Sequence, residues 1–239
     1  MSTCQSRRYD LKILILPFQN CQCKMDLDEQ PFWINFRADS FSSTSEDLEQ
    51  KEKNDTTKAY YLKTLKNIIN QINKLLQKAY KIEETLINAV FKMDSETINE
   101  SLKEYQYGWL PSKDSLLSNI GNGELKENKI EEILPNVYTN LQTVSAGLEL
   151  MLEHEKYNEF ERLKSYLRSV LCEIYTALRE CQLNLPEDVS RSVVPQEIRN
   201  MIEIPETNIR NWIIFRNFID TLNGVTDIFL RFLSNISDE

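Results

Sequence analysis

Glycine and proline are scarce in this chain, which has 5 glycines and 7 prolines in 239 residues. Strand-and-turn architectures use these residues at their turns, so the scarcity favours a helical fold. Neither of two glycine-rich phosphate-binding motifs, G-x-G-x-x-G and G-x-x-x-x-G-K-S/T, occurs. The hydrophobic fraction of 41% is enough for one domain with a sizeable core. We therefore predict one all-α domain without a nucleotide-binding loop.

Histidine is scarcer still, because His154 is the only one in the chain. A Ser/His/Asp or Cys/His catalytic site would have to use it, and a di-iron bundle would need two Glu-x-x-His motifs. Its neighbours Glu153 and Glu155 are typical of a solvated helix end. No C-x-x-C pair offers zinc ligands. The sequence therefore predicts a protein that is not an enzyme and that needs no metal or cofactor.

A basic footprint for nucleic acid is also missing, because the formal net charge is -9. The most apolar stretch, residues 208–233, is long enough to approach a membrane span. It is interrupted by five charged residues, Arg210, Arg216, Asp220, Asp227 and Arg231. Each of these costs about 2.5–3.5 kcal/mol near the centre of a bilayer. We therefore predict no nucleic-acid partner and no membrane insertion.

The first 56 residues give no clear helical pattern. Residues 7–23, RRYDLKILILPFQNCQC, place basic residues before an apolar run, as a secretory signal does. The run is short, and Asp10 and Lys12 intrude upon it. Residues 38–56 are serine-rich and charged, which is typical of disorder. The prediction is a weakly signal-like, largely disordered segment 1–56 followed by a helical domain 57–236.

Four long amphipathic helices are predicted in that domain, at about 57–91, 134–154, 158–182 and 208–234. Apolar residues recur every three or four positions in each, as in Leu65, Ile68 and Ile72 of the first helix. The opposite face of that helix carries lysines, namely Lys63, Lys66, Lys74, Lys78 and Lys81. In the last helix Thr207 is the predicted N-cap, and Gly224 is expected to mark a close approach by a neighbouring helix.

The connections between these helices are long, short and long. A short link joins antiparallel neighbours, whereas a long link lets the chain return along the bundle so that the next helix runs parallel to the last. The first two helices should then be parallel, and so should the last two. This pattern predicts a long-chain four-helix bundle of the up-up-down-down type with two long crossover connections.

The C-terminal residues resemble the end of insect unpaired-type cytokines. The segment VVPQEIRNM, residues 193–201, leads into NIRNWIIFRNFIDTLNGV, residues 208–225. In that family a proline-containing crossover precedes a last helix with an aromatic-IFR-aromatic core, which here comprises Trp212 to Phe218. The resemblance covers about the last forty residues well, and the second and third helices only as a pattern.

The resemblance implies an extracellular, secreted ligand of a Domeless-type cell-surface cytokine receptor that activates JAK/STAT signalling. Such a ligand acts by binding and bringing two receptor chains together, with no chemical step. The lysines of the first helix are candidate receptor contacts, and the alternative is an ordinary solvated face. Ile213, Ile214 and Arg216 are further candidates for an exposed contact, while Trp212 and Phe215 are expected in the core.

Five cysteines and three glycosylation triplets bear on secretion. A helix would hold Cys172 and Cys181 about 13 Å apart, too far for a disulfide. Cys172 is expected to lie away from the apolar stripe of its helix. If the chain is oxidised, one of these two cysteines should pair with Cys21 or Cys23; the alternative is thiols in an intracellular protein. Candidate N-glycosylation sites are Asn54, Asn99 and Asn235.

A different class of protein accounts for the same features. An intracellular helical adaptor or scaffold would also be all-α, would also lack catalytic residues, and would dock a partner through its C-terminal aromatic helix. A missing signal sequence, reduced cysteines and absent glycans would each favour that alternative.

Overall fold

Helices form all the regular structure in the part of the chain that can be described. A computed structural model describes residues 30–34, 36, 50–112, 116, 130–152 and 158–237. No strand occurs within these ranges, which confirms the predicted all-α class. The long helices are α1 (Gln50–Leu86), α3 (Ile130–Leu152), α4 (Asn158–Glu180) and α6 (Ile204–Ser237). Two short ones, α2 (Ser95–Ser101) and α5 (Gln196–Arg199), lie in the connections.

Helix α1 begins at Gln50, earlier than the predicted Thr57. The added residues include Gln, Lys and Glu, which are good helix formers, so a polar sequence does not prevent helix formation here. At its other end α1 continues into a π-helical turn, Ile87–Phe91. Lys92 ends this turn with a left-handed backbone (φ 55°), and its N–H donates to the Ile87 carbonyl. Asp94 then caps α2 by accepting from the Thr97 N–H at 2.8 Å.

Helix α6 also begins earlier than predicted, at Ile204 rather than near Asn208. Pro205 lies in its first turn, where the backbone N–H has no acceptor within the helix, so a proline costs no hydrogen bond. Thr207 is therefore inside the helix and is not its N-cap. Its hydroxyl donates to the carbonyls of Glu203 and Ile204, at 3.1 and 2.9 Å.

Helices α1 and α3 each pack against both α4 and α6. Tyr80 of α1 hydrogen bonds Asn223 of α6, and Phe91 at the end of α1 packs on Trp212 at 5.9 Å between ring centroids. The later residue of α1 thus meets the earlier residue of α6, so these two helices are antiparallel.

Two contacts establish the direction of α3 relative to α6. Its Gly147 lies against Ile214 of α6, whereas its earlier residue Val137 lines a small cavity together with the later Ile228. Helices α3 and α6 are therefore antiparallel. Helix α4 folds back along α3, because Tyr138 of α3 lies 6.2 Å from Tyr175 of α4 between ring centroids.

Three aromatic residues near the N-terminus, Phe32, Trp33 and Phe36, pack into the core, which the sequence did not indicate. Phe32, Trp33 and Phe36 are only 6%, 0% and 3% exposed. The Trp33 Nε1–H donates to the Val189 carbonyl at 2.8 Å, and Arg168 donates to the Phe32 carbonyl at 2.9 Å. This part of the predicted disordered segment 1–56 is thus a component of the fold.

Gln142 of α3 joins this N-terminal segment to the connection before α5. Its side chain is fully buried. The amide nitrogen donates to the Trp33 carbonyl at 3.0 Å and to Asp188 Oδ1 at 2.8 Å, while the amide oxygen accepts from the Val189 N–H at 3.1 Å. One buried amide therefore fixes two segments that are far apart in the chain.

Helix α3 lies close against α6 at Gly147. A Cβ added there would lie 2.8 Å from Ile214 Cγ2 and 2.9 Å from Trp109 Cη2. The Ile214 side chain is fully buried and cannot move aside easily. Only the absence of a side chain at position 147 permits this spacing.

We expect Gly147→Ala to lower the free energy of unfolding by about 1–2 kcal/mol. The overpacking cost exceeds the gain of about 1 kcal/mol in helix propensity. Urea denaturation measures this difference. Gly108→Ala is the matched control, because nothing lies within 4 Å of a Cβ added there, and it should change stability by less than about 0.5 kcal/mol. A Gly147→Ala variant as stable as the unmodified chain would contradict the close approach.

Candidate functional site

The five predicted lysines of α1 lie on its solvent side. Lys63, Lys66, Lys74, Lys78 and Lys81, which we name the lysine face, are all exposed. The buried positions of α1 are interleaved with them and include Ile68, Ile72 and Leu75, each at 0–1% exposure. At 1.5 Å rise per residue the lysine face extends about 27 Å along the helix. It is a basic strip on a chain whose net charge is -9.

The prediction that Ile213 and Ile214 form an exposed contact is wrong. Their side chains are 3% and 0% exposed. Helix α6 packs against both α1 and α3, and residues 210–215 are all buried. Trp212 and Phe215, predicted to lie in the core, are 1% and 0% exposed, and that prediction is confirmed.

Arg216 is half-buried and bonds within the chain. Its Nη1 donates to the Leu102 carbonyl at 2.9 Å and its Nη2 to the Tyr105 carbonyl at 2.7 Å. The neighbouring Asn217 amide donates to the Pro111 carbonyl at 2.7 Å. Burial lowers the pKa of the Arg216 guanidinium, and the nearby Asp220 carboxylate opposes this. These donors hold the connection after α2 against α6. Because they already bond within the chain, Arg216 is a less favourable candidate for a partner contact.

Arg210 forms a second anchor, which sequence reasoning missed. It is fully buried, and its Nε and Nη2 donate to Asn211 Oδ1 at 3.0 and 2.9 Å. Its Nη1 donates to the Ile198 carbonyl of α5 at 3.2 Å. Nothing in the sequence distinguishes this arginine from a solvated one, because its acceptors lie in α5 and in its own neighbour.

The predicted cysteine pairing involves residues outside the described part of the chain, since Cys21 and Cys23 both lie there. Cys172 and Cys181 are 5% and 0% exposed. Cys172 was expected to lie away from the apolar stripe of α4, but α4 packs against both α1 and α3, so its buried surface is wider than one stripe. The pairing with the N-terminal cysteines stays a prediction.

The three glycosylation candidates all lie on helices. Asn54 is in α1, Asn99 in α2 and Asn235 in α6. Asn99 is half-buried, and its Oδ1 is buried without a hydrogen-bond partner in the structure. A glycan needs an accessible amide, so Asn99 is the less favourable of the candidates whose side chains are described.

The described residues contain neither a metal cluster nor a membrane-spanning helix. No group of three or more His, Cys, Asp or Glu side chains that could hold a metal ion occurs in the described ranges, and His154 lies outside them. None of the helices described is both long and apolar enough to cross a membrane.

Comparisons with protein-family models, with curated proteins and with solved structures give no match to this chain. The similarity to unpaired-type cytokines therefore stays a prediction carried by residues 193–225.

Burial raises the pKa of Glu83 in α1, and the Asp220 carboxylate of α6 raises it further. The folded protein therefore binds the Glu83 proton more tightly than the unfolded chain does. The stability that this difference provides is fully present below the unfolded pKa and is lost as the pH rises through the raised pKa of Glu83.

Glu83→Gln should raise the free energy of unfolding at pH 7 by less than about 1 kcal/mol, because solvent screens a half-exposed carboxyl. The gain should vanish at a pH well below the unfolded pKa of about 4.3, at about pH 2.5, where Glu83 is protonated in both states. Urea denaturation at the two pH values measures it. Glu84→Gln changes the same charge at the exposed neighbouring position. Equal gains from both variants would assign the effect to the helix dipole and not to Asp220.

Proposed function

We propose that this chain is a secreted, cytokine-like ligand that binds a Domeless-type receptor and activates JAK/STAT signalling by bringing receptor chains together. Its localisation in this proposal is extracellular, and its action is binding without a chemical step. The observation that carries the proposal is the arrangement of the four long helices.

The helix contacts support an up-up-down-down bundle. Helix α6 is antiparallel to α1 and to α3, which makes α1 and α3 parallel to each other. Helix α4 is antiparallel to α3, which makes it parallel to α6. Two parallel pairs require two long connections, and the chain has them after α1 and after α4. This is the arrangement of long-chain cytokines, and the step from fold to function remains an analogy.

Burial of the aromatic helix weighs against the adaptor alternative. That alternative needs the apolar face of α6 to be available to a partner. Phe215, Phe218, Phe229 and Phe232 are at most 1% exposed, because they form the core. An adaptor would have to bind through another surface.

The lysine face supports receptor contact through charge. A strip of ammonium groups attracts an acidic surface and speeds encounter, and salt weakens this attraction. Substitutions in the lysine face should not disturb the core, since all five side chains are exposed.

A signalling assay tests the proposal directly. The full chain would be expressed behind a known signal peptide, and the medium applied to insect cells that carry a STAT reporter. Activation that disappears when the receptor is depleted is the expected result. A well-folded protein in the medium with no reporter response would overturn the proposal.

Reversing charge on the lysine face should slow receptor association. We expect Lys74→Glu/Lys78→Glu to lower the association rate about tenfold at low salt, with a much smaller effect at high salt. Surface plasmon resonance with the receptor ectodomain measures both. Arg162→Glu/Arg179→Glu changes the same charge at exposed positions of α4 and controls for net charge. Equal losses from both double variants would leave the lysine face as an ordinary solvated surface.

A further inference from the structure

Two isoleucines next to the start of α6 project into solvent. Ile202 is 84% exposed and Ile204 is 73% exposed, more than any other large hydrophobic side chain described. Single exposed apolar residues are common on protein surfaces. A pair separated by one residue calls for a specific explanation, because the other isoleucines whose side chains the structure describes are at least partly covered.

The short segment that carries the isoleucines is held by hydrogen bonds on both sides. On its N-terminal side, Ile198 is buried and its carbonyl accepts from the fully buried Arg210. On its C-terminal side, the Thr207 N–H donates to the Glu203 carbonyl at 2.9 Å. The isoleucines thus lie between two fixed points of the chain, so less conformational freedom is lost when they bind. We name Ile202 and Ile204 the isoleucine end.

Carboxylates accompany the isoleucine end. Glu203 lies between the two isoleucines, and Glu197 and Glu206 are on either side of them in the chain; all three are exposed. Acidic groups repel anionic lipid headgroups, so the charge disfavours a membrane surface. It favours an apolar pocket with lysine or arginine around its rim, because interface potentials are complementary.

We propose that the isoleucine end inserts into an apolar, basic-rimmed pocket on the receptor ectodomain, an inference that rests on the proposed function. It is a contact separate from the lysine face and opposite to it in charge. The isoleucines provide the anchor, which resists dissociation, and the glutamates speed approach.

Binding kinetics with the full chain and the receptor ectodomain test this. Ile202→Ser/Ile204→Ser should dissociate about tenfold faster or more, with the association rate little changed. Leu230→Ser is the matched control, because Leu230 is 50% exposed near the other end of α6, and it should leave the rates unchanged. Circular dichroism would verify that each variant is folded.

The outcomes separate this inference from the proposed function. Receptor binding by the unmodified chain with the same dissociation rate in the isoleucine variant would overturn the inference and leave the ligand assignment standing. No binding by the unmodified chain would overturn both. Cosedimentation with phosphatidylserine–phosphatidylcholine vesicles that the isoleucine variant loses would assign this end to lipid and overturn the receptor pocket.

Charge reversal at two of the glutamates tests the basic rim of the receptor pocket. Glu203→Lys/Glu206→Lys should slow association about tenfold at low salt and much less at high salt. Faster association of this variant would show an acidic receptor surface at this point and would overturn the basic rim.

Discussion

The burial of α6 is the constraint on which the rest of the structure depends. Much of this helix is covered by α1 and α3, and a polar side chain buried there must find an acceptor inside the protein. Arg210 donates to the Ile198 carbonyl, Arg216 donates to the carbonyls of Leu102 and Tyr105, and Asn217 donates to that of Pro111. Donors of one helix therefore fix points on both long connections. Two of the five charged residues that interrupt its apolar sequence thus hold the connections against it, whereas Asp220, Asp227 and Arg231 are exposed.

In helix α3 a neutral side chain, the amide of Gln142, likewise holds segments outside the long helices in place. An amide has both donors and an acceptor, so Gln142 can bind a carbonyl, a carboxylate oxygen and an N–H at once. A buried charge at this position would need a counter-ion, whereas the amide needs only good geometry. The consequence is a core that includes Trp33 and to which the segment at Val189 is fixed, although neither belongs to a long helix.

Periodicity in the sequence predicted the helical class and located the four long helices, because apolar spacing directly reflects which side of a helix is covered. It did not predict how many neighbours cover that side, so Ile213 and Ile214 were assigned to the surface. Gly224 was predicted to mark a close approach, and a Cβ there would lie 3.2 Å from Leu116 Cδ1, but the tighter contact is at Gly147, which the sequence did not single out. Phe32 and Trp33 escaped detection because a few aromatic residues outside a helix have no period. The exposure of Ile202 and Ile204 could not be predicted from the sequence either, since it depends on the path of the chain between α5 and α6.

The contact between Trp33 and Val189 spans 156 residues of sequence. Translation proceeds at about 5–20 residues per second, so roughly 8–30 s separate the synthesis of these two partners. During that interval Phe32, Trp33 and Phe36 have left the ribosome while much of the surface that covers them does not yet exist. The aromatic segment is thus among the earliest parts of the core to be made and among the last that can be buried. Chaperone contact with the nascent chain would be most useful here.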